Sequence, residues 1–272
     1  MGKRLKLLLN RIIMLYTIKT TPFLKKMGAI NKPIKKYLLQ FREIEGWLNL
    51  KFIPILSLIN QFQIDRHIEG GVAEIGIHHG KLFIPLFIFC DENEFSLAID
   101  CFEKQEFNYD NSGKGDYKIF INNLKKFSGG KKLVNLKIIK EDSTKLNAET
   151  YLRKVENNKF RIFSIDGCHT AEATKIDLKN SYGCLTEGGV IIIDDYFNHH
   201  WPGVSQGVNA FFNEYKSDLK PFFVGFNKIL FTNKKYADKY IKFISEKIPP
   251  TRTSSLFGSQ VVIYGPNDFL IE

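Results

Sequence analysis

Cysteine is scarce in this 272-residue chain, and none of Cys90, Cys101, Cys168 and Cys184 stands at C-x-x-C spacing to another. That excludes a disulfide-stapled scaffold and a thiolate metal cluster, and leads us to expect reduced thiols in a cytoplasmic protein. Cys168 alone lies inside a motif that could use a thiol nucleophile. Long apolar runs are also missing. The stretch 5–18 is interrupted by Asn10 and Arg11, too short and too polar to span a bilayer, and no small-residue cleavage site follows it. Acidic residues are absent from positions 1–36, which hold ten Lys and Arg, while the remaining 29 basic residues balance 29 acidic ones. The net charge of +10 therefore belongs to the arm, and a basic nucleic-acid-binding body is not expected. An amphipathic basic arm over 1–36 can lie on anionic lipid at the inner membrane surface, or pack its apolar side on the body or on a second copy in a homo-oligomer.

With 44% hydrophobic and 25% charged residues, what remains is ordinary globular chain, long enough for one large domain over 37–272. Apolar residues at helical spacing predict a helix over 37–62. Strand and helix patterns then alternate, with strands at 71–77, 95–100, 134–140, 160–165 and 189–193. Helices are expected at 81–89, 117–126, 148–155 and 170–181. This alternation predicts an α/β fold, a doubly wound and mostly parallel sheet with helices on both faces. The tail reads as helix 208–215, strand 222–231, helix 236–244 and strand 259–264, the last strands forming an antiparallel edge.

The chain lacks G-x-G-x-x-G and G-x-x-x-x-G-K-[ST], so neither the dinucleotide fingerprint nor a phosphate loop is present. In its place the first strand ends in Glu74-Ile-Gly76-Ile-His78-His79-Gly80, where Gly76 permits a tight turn and Gly80 a close helix start. Asp100, at the end of the second strand, can accept hydrogen bonds from both hydroxyls of a ribose. Asp142 and Ser143 follow the third strand and can bond an adenine edge. His78 and His79 read as loop-surface residues, and His199 and His200 as residues overhanging the sheet end. The glycine-rich segment 111–116 reads as a flap over the site or a plain connection.

The run 74–80, Asp100 and Asp142-Ser143 resembles motifs I to III of class I S-adenosylmethionine-dependent methyltransferases. Asp166-Gly-Cys-His169 and Gly188-Gly-Val-Ile-Ile-Ile-Asp194-Asp195 extend the likeness to a subgroup that includes macrocin-type, metal-dependent sugar O-methyltransferases. The resemblance implies a seven-stranded sheet with an antiparallel last strand, S-adenosylmethionine as cofactor, and a small-molecule or glycan hydroxyl as acceptor. It assigns Glu74, Gly76, Gly80, Asp100, Asp142 and Ser143 to the cofactor, and His169 with Asp166 to catalysis. His169 would act as a neutral base near pH 7, or else only cap the following helix. Asp166, Asp194 and Asp195, three carboxylates at one sheet edge, would repel unless protonated, solvated or neutralised, which favours Mg²⁺ or Mn²⁺. A nucleotide-dependent oxidoreductase and a non-catalytic binding or membrane-docking protein with the same fold are the competing readings.

Overall fold

Strands β1 (Gly71–Ile75), β2 (Ser96–Ile99) and β4 (Phe160–Ile165) have every residue buried, the mark of strands covered on both faces. β3 (Leu136–Ile139) is half-buried throughout, and β5 (Leu185–Asp194) is buried over its last seven residues. The computed structural model describes residues 32–108 and 110–265, and these form a single nine-stranded sheet in the order β3-β2-β1-β4-β5-β7-β6-β9-β8. The first five strands pair in parallel. Strand order reverses between β1 and β4, so their carboxyl ends open a crevice, the usual ligand position in such sheets.

Side chains alternate between the two faces along each strand. Val72, Ile162, Val190 and Ile192 pack under α2 (Phe52–Asp65) and α8 (Lys234–Lys247). Ala73, Phe163, Ile191 and Ile193 face α6 (Ala171–Cys184) and α7 (Pro202–Glu214). A third cluster joins α1 (Lys32–Gln40), α3 (Phe83–Phe89) and α4 (Tyr117–Phe127) through Ile34, Tyr37, Phe83 and Phe120. A short helix, α5 (Ala148–Lys154), precedes β4 and is capped by Asn147. Of the arm expected over 1–36, positions 1–31 lie outside the described residues, whereas Ile34 is already in the core.

Nine strands replace the seven expected. The segment 222–231 is not one strand but the hairpin of β6 (Leu219–Gly225) and β7 (Lys228–Asn233). Phe226 and Asn227 both take left-handed φ, 54° and 70°, the signature of a two-residue hairpin turn. β7 runs antiparallel to β5, and β6 runs antiparallel to β7. The second addition, β8 (Arg252–Leu256), pairs antiparallel with β9 (Ser259–Tyr264) through Phe257 and Gly258, again with positive φ. Its Arg-Thr-Ser-Ser-Leu sequence is polar on both faces because it is an exposed edge strand, so period-two patterning could not reveal it. The helix expected over 37–62 also divides, into α1 and α2, at a loop where Gly46 takes a φ of 127°.

Arg161 anchors β4 to this frame. Its guanidinium is buried and forks onto Glu94 at 2.9 and 3.1 Å, while Nη1 donates to Asn60 at 3.0 Å and Gln63 at 2.8 Å. Removing it would strand four acceptors: Asn60 and Gln63 on α2, the Phe89 carbonyl that ends α3, and Glu94 before β2. Arg161→Ala should lower unfolding free energy by about 3–5 kcal/mol in urea titration. A loss below about 1 kcal/mol would mean that water replaces the guanidinium there.

Candidate active site

The carboxyl ends of β1, β2, β4 and β5 border a cavity of about 880 Å³. Of the residues singled out from the sequence, Gly76, Asp100, Asp142, Ser143, Asp166, His169, Asp194 and Asp195 line it. Glu74 and Gly80 do not. Glu74 is buried behind the β1 loop, where burial and then Asp166 push its carboxyl well above the usual carboxylate range. Gly80 starts the turn into α3 beneath the Phe120 ring, which leaves no room for a Cβ. At Gly76 the constraint is absolute: φ is 84°, and a Cβ would stand 1.7 Å from the Asp166 carbonyl oxygen. The first and fourth strand ends thus touch backbone to backbone.

Asp100 accepts from the backbone N–H of His78 at 2.7 Å and of Phe102 at 2.5 Å, which fixes it against the β1 loop. Burial raises its pKa, and those N–H bonds act against the rise. Asp142 caps the turn Ser143–Lys145 through the backbone N–H and hydroxyl of Thr144. His78 lines the cavity, its ring between the tilted rings of Trp47 and His79, rather than lying on the loop surface. The exposed His200 overhangs the cavity as expected.

The two aspartates that end β5 part company. Asp194 lies directly across the ladder from Lys228, and strand alternation sends its side chain to the α2 face, where the two form a buried ion pair. Burial alone would lower the Lys228 pKa, but Asp194, Asp166 and Glu74 raise it, so Lys228 stays cationic. Asp195 leaves the strand with a φ of 59°, and its carboxylate turns the other way. There it accepts from Asn198 at 2.6 Å and from Asn227. Burial would raise its pKa, but hydrogen bonds from His169, Asn198 and Asn227 bring it down to about 2.

The compact acidic cluster therefore differs from the three aspartates expected. Ligand atoms of Asp166, His169 and Asp195 all lie within 4.8 Å of one another, whereas Asp194 is held by Lys228. His169 is not the helix cap; Thr170 caps α6 through the Ala173 N–H. The imidazole stacks on Trp201 at 4.4 Å, and Gly203 lets α7 approach, since a Cβ there would meet the His169 carbonyl at 2.3 Å. Its Nδ1 sits 2.6 Å from Asp110, and its Nε2 sits 3.1 Å from Asp195 and 3.8 Å from Asp166. Burial favours the neutral ring, but Asp110, Asp166 and Asp195 together push its pKa up to about 11. These three carboxylates favour the imidazolium form of the ring. Nε2 is buried yet makes no well-directed hydrogen bond.

Three residues escaped the sequence reading. Asp110 precedes the glycine-rich flap, and Asn227 and Lys228 both fall within 222–231, read as one strand. Only Asp110 had a signal nearby, the flap 111–116 itself, of which Ser112, Gly113 and Gly115 line the cavity.

Comparison with known proteins bears on this geometry. Residues 73–196 match a family model described as a methyltransferase domain. No curated protein matches the chain. Among solved structures, the fold is similar to the O-methyltransferase NovP, with a TM-score of 0.54, 15% identity, and 66% of this chain and 79% of that one covered. It is similar to cofactor-bound Rv0187 from MTB (TM-score 0.52, 11% identity, coverage 76% and 93%). It is also similar to the SAH-bound Podospora anserina methyltransferase PaMTH1 (TM-score 0.51, 16% identity, coverage 81% and 93%). At such identities the structures speak for the fold, and the family model speaks for the 73–196 segment that carries the cavity. The glycine loop, Asp100, Asp142, Asp166 and His169 all lie within the segment 73–196 that matches the methyltransferase domain.

Proposed function

We propose that the enzyme transfers a methyl group to a hydroxyl oxygen of a small polar acceptor, a sugar or glycoconjugate, with a divalent cation held beside the acceptor. The observation that carries this reading is the convergence of Asp166, His169 and Asp195 within 4.8 Å at the mouth of the cofactor crevice. In this reading Gly76, Asp100, Asp142 and Ser143 hold the cofactor, and Glu74 and Gly80 shape the β1 loop from behind. The acceptor lies against Trp201, Asn198 and Asn227, which offer an apolar ring and amide groups suited to a polyol face.

The donor set fits a hard cation. Asp166 and Asp195 offer carboxylate oxygens with no thiolate beside them, and the poorly satisfied His169 Nε2 facing them is left for the acceptor. Asp166 and Asp195 would hold the ion, and Mg²⁺ or Mn²⁺ there would supply Lewis acidity that lowers the acceptor hydroxyl's pKa. The protein positions the hydroxyl oxygen in line with the sulfonium methyl, so that the new O–CH₃ bond forms as the S–CH₃ bond breaks. His169 Nε2 takes the hydroxyl proton once the charges of Asp166 and Asp195 are balanced by something other than its own proton. Asp194 contributes differently from the expectation, by neutralising Lys228 rather than binding the ion.

A basic segment before Lys32 would bring the enzyme to an anionic lipid surface or to a second copy. Its support is the seven Lys and Arg, with no acidic residue among them, in positions 1–31. Among the described residues no helix is long and apolar enough to cross a membrane.

Three outcomes are expected. In a screen of sugars, phenols and lipid-linked glycans with methyl-labelled cofactor, exhaustive chelation and Asp195→Asn should each cut turnover by roughly 10²-fold or more. Full turnover after chelation would end the cation reading and leave His169 as the leading base without it. Asp100→Ala should weaken S-adenosylmethionine binding by roughly 1.5–3 kcal/mol in titration calorimetry, and an unchanged affinity would take Asp100 out of the site. Removing residues 1–31 should leave cofactor affinity unchanged and lower binding to anionic vesicles, most clearly at low salt. A changed oligomeric state instead would assign the arm to subunit packing.

A further inference from the structure

We infer that Asp110 is the positioning residue of the reaction: it holds the His169 ring so that Nε2 faces the acceptor, and ties that orientation to the flap over the cofactor crevice. This inference rests on the proposed role of His169 as base. Asp110 belongs to the connection between β2 and α4, 59 residues before His169. One carboxylate oxygen, Oδ2, accepts from the His169 backbone N–H at 2.7 Å and faces Nδ1 at 2.6 Å. The other, Oδ1, accepts from the Ser112 N–H at 2.9 Å. Both side chains of the pair are about nine-tenths buried, at 7% exposure for Asp110 and 10% for His169.

A carboxylate has lone pairs but no proton to give, so the proton between the two sits on Nδ1. That leaves Nε2, 3.1 Å from Asp195 and 3.8 Å from Asp166, as the only ring nitrogen able to accept a proton at the reaction centre. Without Asp110 the ring would be free to turn about its χ2 or to carry its proton on Nε2, and either change removes the base. The Trp201 stack fixes the plane of the ring but cannot choose which nitrogen faces the acceptor.

The same stretch of chain reaches the cofactor side. Asn108 donates to the Gly113 carbonyl at 2.7 Å, and Gly113 packs under His78 and Trp47. At Gly115 an added Cβ would stand 3.0 Å from Asp100 Oδ1, the carboxylate assigned to the ribose. Residues 110–115 thus run from the base to the cofactor carboxylate. A flap seated on the cofactor places Asp110 against His169 by the same backbone path.

The test separates orientation of the ring from simple anchoring of the loop. Asp110→Asn is nearly isosteric, and its amide can donate as well as accept, so the Nδ1 proton is no longer enforced. We expect a kcat lower by roughly 10²–10³-fold, the worth of a general base, with cofactor affinity within about threefold of wild type. In a His169→Asn background, Asp110→Asn should add little further loss, because the two residues act as one unit. The ring proton held at 2.6 Å should give wild type a far-downfield, exchange-protected imidazole NMR resonance, absent from His169→Asn and lost or moved upfield in Asp110→Asn. Folding of each variant is checked by its thermal midpoint. Should Asp110→Asn misfold, Asp110→Glu, which keeps the acceptor-only carboxylate, is expected to retain the downfield resonance and part of kcat.

An unchanged kcat, a resonance that survives Asp110→Asn, or a loss confined to cofactor affinity would each overturn the inference and leave Asp110 as a loop anchor. The NMR readout needs no acceptor. If no hydroxyl compound is methylated, the proposed function fails while the Asp110–His169 pairing is still decided.

Discussion

Five acidic side chains, Glu74, Asp110, Asp166, Asp194 and Asp195, crowd the carboxyl edge of the sheet, and two cations decide what each can do. Like charges this close cannot all remain ionised in a half-buried site without compensation. Lys228 takes Asp194 and stays charged among Asp166 and Glu74, while Glu74 is driven toward its neutral form. His169 takes Asp110 and Asp195, with Asp166 near by. What remains is an arrangement short of one positive charge whenever His169 gives up its proton. In the proposed reading a divalent cation more than replaces the charge that His169 loses with its proton, so an ion site and a base can share the cluster.

Backbone architecture makes that crowding unavoidable. Parallel strands all end on the same side of the sheet, so residues that follow β1, β4 and β5 meet there regardless of their distance in sequence. Contact between Gly76 and the Asp166 carbonyl pulls the first and fourth strand ends together and leaves space for a ligand only above them. The antiparallel β7 then supplies what parallel strands cannot, a residue entering from the opposite direction. Lys228 is the first residue of β7, and the hairpin turn just before it also delivers Asn227 to Asp195. One short hairpin thereby fixes both aspartates of the Asp194-Asp195 pair.

Much of this was legible from the sequence because it depends on local pattern. The β-α alternation over 71–193 follows from side-chain periodicity, and each of the five parallel strands forms where that pattern placed it. The turn glycines, Asp100 at a strand end and the Asp194-Asp195 pair were legible too, since a strand's last residue must fall at the ligand edge of a doubly wound sheet. Patterning failed where a strand is polar on both faces, as in β8, and where Phe226 and Asn227 hide a reversal inside an apolar run.

The sequence by itself determined the class of fold, the crevice and the carboxylates that end its strands, because these follow from strand order and from which residues end the strands. Tertiary structure alone decided how those carboxylates divide. Adjacent residues on a strand point to opposite faces, so Asp194 meets Lys228 while Asp195 meets His169, and no spacing rule records which partner waits on each face. The same holds for Asp110, which lies 59 positions from the histidine it holds. A charge pair is chosen by distance and burial in three dimensions, and the chain encodes that choice only through the fold that brings the partners together.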